Sequence, residues 1–146
     1  MANRPITISA SNPSNGTLTL SDHGHTRASR RDSVSWHIGQ NSGVDSITLI
    51  QKKPSSPDIF STPPRQQGMN WRGEISSTAP FYPEYEYSIF WLADDKSGPH
   101  EYDPKISVKP TPLLLFKKKP IFFLLAFFVA LFSLVFLLRN RKRIKL

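Results

Sequence analysis

Cysteine is absent from the 146 residues. That single absence excludes an extracellular module stapled by disulfides and any chemistry that needs a thiolate as nucleophile or metal ligand. The chain also lacks a Gly-x-Ser-x-Gly elbow, a Gly-x-x-x-x-Gly-Lys phosphate loop and a His-Glu-x-x-His pair. The patterns that expose a serine nucleophile, cradle a phosphate or hold a catalytic zinc are therefore missing. Glu84 and Glu86, two apart, would share one face of a strand, which is the usual arrangement of a solvated edge and not of an acid/base pair. No catalytic residue emerges, and the expectation is a protein that is not an enzyme.

Two further absences concern location. The opening "MANRPITISASNPSNGTLTL" has no charged segment followed by an apolar stretch, so no secretory signal is evident. Acidic residues are missing altogether from 113–146, a segment with eight Lys or Arg. The rest of the chain carries 11 basic and 11 acidic residues, so the whole net charge of +8 belongs to the tail. A basic chain commonly suggests nucleic acid, but charge confined to the flanks of an apolar run points to anionic lipid headgroups, and no nucleic-acid partner is expected.

That run is the most informative stretch present. From Ile121 to Leu138 Ser133 is the only polar side chain, and eighteen residues at about 1.5 Å each nearly cover the ~30 Å hydrocarbon core of a bilayer. A transmembrane helix is predicted over 120–138, with Pro120 in the first turn, where its missing N–H costs nothing. Lys117, Lys118 and Lys119 mark one headgroup level, and Arg139, Arg141, Lys142, Arg143 and Lys145 mark the other. Positive charge alone would draw the C-terminus toward the cytoplasm. Exporting a head of more than a hundred residues without a signal costs more than passing a basic tail, so a single-pass, tail-anchored protein with a cytoplasmic head is expected. Ala126, Ala130 and Ser133 fall on one helical face and would let a second helix approach, permitting a weak homodimer.

Ahead of the anchor, short stretches of alternating hydrophobicity are punctuated by proline, serine and asparagine, the pattern of an all-β domain. Strands are predicted at Ile6–Ser9, Thr17–Leu20, Val34–Ile38, Ser46–Ile50, Asn70–Ile75, Tyr85–Leu92 and Lys105–Lys109. Val34, Trp36 and Ile38 would share a core face. The strand over Tyr85–Leu92 is expected to be central, with Tyr85, Tyr87, Ile89 and Trp91 on one side and Phe90 and Leu92 on the other. Lys52–Gly68 holds too many prolines for a central strand and is read as a long loop, with Ile59 and Phe60 packed back on the core.

Placed in order, these stretches resemble a cupredoxin-like domain. "GHTRASRRDSVSWHI" at Gly24–Ile38 is similar to the family's second and third strands, and "YEYSIFW … HEYDPKISV" is similar to its Tyr-x-Tyr-x-Cys strand, ligand loop and final strand. The resemblance implies a Greek-key β-sandwich over 17–109, preceded by a flexible segment or edge strand at 1–16. A Pro/Lys juxtamembrane linker at 110–119, the helix and a basic tail at 139–146 would follow. Copper-bearing relatives use two His, a Cys and usually a Met, but here Ile89 stands at the thiolate position and no blue-copper set can be assembled. No cofactor is expected. A divergent metal or redox site could draw on Asp22, His23 and His25, or on Asp94, Asp95, His100, Glu101 and Asp103. Turn-forming roles suit those residues better. The leading expectation is a non-catalytic interaction or recognition module at an anionic bilayer, with a protein partner, and the alternatives are a metal-binding domain and a structural subunit of a membrane assembly.

Overall fold

The alternation of β-branched and aromatic residues with polar ones is realised as strands throughout. A computed structural model of the chain describes residues 1–82 and 84–110, and Met1–Pro110 form a compact unit of their own. The strands are β1 (Asn3–Asn12), β2 (Thr17–Leu20), β3 (His25–Ala28), β4 (Ser33–Ile38), β5 (Val44–Lys52), β6 (Phe60–Gln67), β7 (Asn70–Ile75), β8 (Glu84–Ala93), β9 (His100–Tyr102) and β10 (Lys105–Val108). One sheet has the order β2-β1-β4-β7-β6; the other runs β3-β10-β8-β5, with β9 added beside β8. β1 lies parallel to β4 and β3 parallel to β10, while the other pairs are antiparallel, so both sheets are mixed.

The fold is thus an all-β sandwich, as the alternation implies. Ile6 and Ile8, Leu18 and Leu20, Val34 and Trp36, Trp71 and Ile75 face inward from one sheet. Tyr85, Tyr87, Ile89, Trp91, Ile106 and Val108 face them from the other. Two hydrogen bonds tie the layers through this apolar interior: Trp36 Nε1 donates to Tyr87 Oη at 3.0 Å, and Trp71 Nε1 donates to the Ile47 carbonyl at 3.1 Å. The rings of Trp36 and Tyr87 meet edge to face at 5.7 Å. Burial of an indole of about 200 Å² is worth ~5 kcal/mol, and the hydrogen bond removes the penalty of a dry N–H. Burial also pushes the Tyr87 phenol far above its ordinary pKa, keeping it a neutral acceptor.

Three expectations are corrected. The N-terminal 16 residues form no edge strand, because β1 sits between β2 and β4. Its Asn3–Ile8 half is laid in register along Ser33–Ile38. That position is locked by Asp32, whose carboxylate accepts from the Ala2 N–H, the Ser29 N–H and Arg4 Nε at 2.9, 3.0 and 2.8 Å. Second, the proposed loop at Lys52–Gly68 contains β6. Pro63 and Pro64 are accommodated because β6 is an edge strand and its register with β7 is interrupted between Phe60 and Thr62 and again between Thr62 and Arg65. Within that segment Ile59 and Phe60 do pack on the core. Third, β9 joins the second sheet beyond the predicted strands, and β3, expected only through the resemblance of Gly24–Ile38 to two strands, lies at that sheet's edge. β8 is central, as expected, with β10 and β5 on either side.

Candidate functional site

The sequence-derived candidates divide into those the fold disperses and those that lie outside the described residues. Ile89, which the resemblance noted from the sequence would set at a copper-thiolate position, is fully buried and pairs with Tyr102. His37 is turned from the core face and its Nε2 lies 3.0 Å from Ser35 Oγ. His25 Nε2 lies 2.6 Å from Ser107 Oγ, but Ser107 is buried, so the pair offers no accessible nucleophile. The Asp22 carboxylate is occupied by the Gly24 N–H at 3.0 Å and by the Thr26 hydroxyl. His100 lies against the Trp91 ring at 4.6 Å, and Glu101 and Asp103 both bind Lys53 at 2.8 and 2.9 Å. That shared ammonium and the Ser88 hydroxyl hold the Glu101 carboxyl below its ordinary pKa. Asp95 turns back on Ser97, its carboxylate accepting from the Ser97 N–H at 2.8 Å. Among the described residues no group of three His, Cys, Asp or Glu is placed to hold a metal. Glu84 reaches Lys105 at 3.0 Å on the solvent side of the sheet.

Lys117, Lys118, Lys119, Arg139, Arg141, Lys142, Arg143 and Lys145, expected from the sequence to flank a membrane, lie outside the described residues, as do Ala126, Ala130 and Ser133. Among the described residues no helix is long and apolar enough to cross a membrane.

What the fold does bring together is a basic and aromatic cluster at one end of the sandwich. β3, β7 and β10 end there, and β1, β4 and β8 begin there. Its framework is made of backbone bonds: the Arg31 N–H donates to the Ile75 carbonyl at 3.0 Å, the Tyr82 N–H to Val108 at 2.8 Å and the Lys109 N–H to Ala28 at 2.8 Å. Arg30 Nε donates to the Ala79 carbonyl at 2.7 Å, which sets its guanidinium carbon 3.7 Å from the centre of the Phe81 ring. Lys109 Nζ lies 5.1 Å from the centre of the Tyr82 ring. Both are cation–π geometries.

Beside this cluster a hollow of about 320 Å³ opens between Ala2, Asn3, Arg31, Ser33, Arg72 and Glu74. Arg31 and Tyr82 are exposed, and both hold the left-handed backbone conformation, with φ of 67° and 69°. That region is costly for bulky residues and normally falls to glycine. None of the ion pairs among the described residues involves Arg30, Arg31 or Lys109. Sequence reading missed this cluster because its members come from three separated segments, and only the long-range pairing of β3 with β10 and the return of the 76–82 loop unite them. The adjacent arginines of "SRRD" were the available signal.

No family model matches the chain, and no curated protein is similar to it at a significant level. Among solved structures, a cysteine protease inhibitor from Entamoeba histolytica is similar at 10% identity over 76% of this chain and 97% of its own, with a TM-score of 0.35. A likeness of that size leaves the functional argument to the residues themselves.

Proposed function

We propose that the chain is a membrane-tethered, non-catalytic recognition module. A cupredoxin-like Greek-key sandwich without a copper site would be held in the cytoplasm by one C-terminal helix over 120–138. The observation that carries this reading is the sequence's apolar run from Ile121 to Leu138, bracketed by all of the excess positive charge and following a charge-balanced head. The all-β sandwich of two mixed sheets supports the sandwich part of this reading. The structural employment of Asp22, His25, Glu101 and Asp103 supports a head that binds without transforming. With Ile89 in the thiolate position, added Cu(II) should give no intense thiolate-to-copper absorption.

The test is topological. Cells producing the full chain are fractionated, extracted with alkali and treated with protease before and after permeabilisation. The expected result is a protein that alkali does not release and whose head is cleaved only after the membrane is opened. Release by alkali would defeat the anchor, and cleavage of the head in intact cells would defeat the cytoplasmic placement.

A further inference from the structure

We infer that the end of the sandwich bearing Arg30, Arg31, Phe81, Tyr82 and Lys109 is a docking surface for anionic lipid headgroups. The inference rests on the anchored reading above and adds a second, reversible contact made by the head itself.

Three observations converge on it. The first is chemical: the surface combines cations with aromatic rings, the side chains that settle at a membrane–water boundary, where an amphipathic ring meets headgroups and a basic side chain meets phosphate. Arg30 over Phe81 and Lys109 over Tyr82 present both in contact with each other. The second is electrostatic. Asp32, the acidic residue next in sequence to Arg31, is buried and engaged by Arg4, so Arg30, Arg31 and Lys109 have no ion-pair partner among the described residues. The third is covalent reach. Lys109 is half-buried at this end, and six residues, Thr111–Phe116, separate Pro110 from Lys117. Even fully extended, that length of chain spans only about 20–25 Å.

An anionic surface is also the one that the cytoplasmic leaflet offers.

The experiment exploits the absence of cysteine. Full-length protein with Ser77→Cys, on the loop of this end, or with Gln40→Cys, in a turn at the other end, carries an environment-sensitive fluorophore. Each is reconstituted in vesicles of phosphatidylcholine alone or of phosphatidylcholine with phosphatidylserine, both containing headgroup spin-labelled lipid. The expected result is strong quenching at position 77 only when phosphatidylserine is present, with little at position 40. At about fivefold per basic residue, Arg31→Glu combined with Lys109→Glu should lower the docked-to-free ratio at least about 25-fold. Raising the salt to about 1 M should act likewise on the unaltered head, since the screening length falls to ~3 Å. Quenching that is equal at the two positions, or indifferent to phosphatidylserine and salt, overturns the inference while the anchor stands. Release of the protein from the same vesicles by alkali defeats the anchor, and the inference with it.

Discussion

The two ends of the sandwich solve the same problem, reversing the chain, with different residues. At the end where the chain leaves the domain, the left-handed positions are filled by Arg31 and Tyr82. At the opposite end the turns contain Gly16, Gly43, Gly68 and Gly98, all at positive φ, together with Asn41 and Lys96. Gly39 is there as well, where a side chain would have its Cβ 2.6 Å from the Ile8 carbonyl oxygen. Gly98 likewise passes close to the Trp91 carbonyl and the His100 N–H, leaving 2.9 Å for a Cβ to either, whereas Gly68 faces open space. Asp45, Asp94 and Asp95 stand with Lys96 at the far end, whereas the exit end exposes Arg31 and carries half-buried Arg30 and Lys109, with Glu74 and Glu84 nearby. One end is shaped by what must fit inside it, and the other by what it presents outward.

Substitutions can break or sharpen this contrast. The largest effect belongs to the layer that both ends share: Trp36→Ala should cost about 3–5 kcal/mol, the usual range for emptying a fully buried aromatic site, read as a fall in the midpoint of chemical denaturation. An unchanged midpoint would remove Trp36 from the core. Next comes Gly98→Ala, which must place a Cβ against backbone atoms at φ +121° and should destabilise by roughly 2–3 kcal/mol. A neutral result would mean that the far end is not tightly packed and would erase the contrast.

Asp32→Ala tests the lock between β1 and the exit end. Burial alone would raise the Asp32 pKa, but the Ala2 and Ser29 N–H groups and the Arg4 guanidinium outweigh it and hold the carboxyl below its ordinary value. Its stabilisation is therefore complete above the ordinary aspartate range and is lost as the pH falls through the depressed pKa. The substitution should cost about 2 kcal/mol at neutral pH, and the gap between variant and parent should close in acid. A gap independent of pH would show that the ionised carboxylate is not what matters.

A smaller effect of opposite sign separates the ends most sharply. Tyr82→Gly should stabilise the fold by about 0.5–1 kcal/mol by relieving the left-handed backbone, while weakening the docking inferred above. Destabilisation would instead make Tyr82 a packing residue. The smallest effect is expected for Lys96→Ala, which breaks an exposed pair with Asp45 at the far end. Thermal melts at moderate salt should coincide with those of the parent, as exposed ion pairs contribute little.

Much of the sandwich was legible because alternation records which face of a strand is dry. Trp36, Ile89, Ile106 and Val108 announce their burial by position alone, and each is fully buried. β3 was obscured because its inward residues, Thr26 and Ala28, are small or polar, and β9 because three residues are too few to show a period. β6 was hidden by Pro63 and Pro64, which exclude a central strand but not a bulged edge. The basic end was less legible still, since "SRRD", "APFY" and "VK" mean nothing together until strands distant in sequence are paired.

The sequence by itself determined the all-β class, the core faces and the charge-balanced head ahead of a basic, apolar tail, because period-two hydrophobicity and local charge are properties of neighbouring residues. Tertiary structure alone decided that β1 lies inside its sheet and that Arg30, Arg31, Phe81, Tyr82 and Lys109 share one end. Parallel pairing joins segments whose separation along the chain carries no periodic trace, and only the closed hydrogen-bond ladders and the buried Asp32 carboxylate select that arrangement.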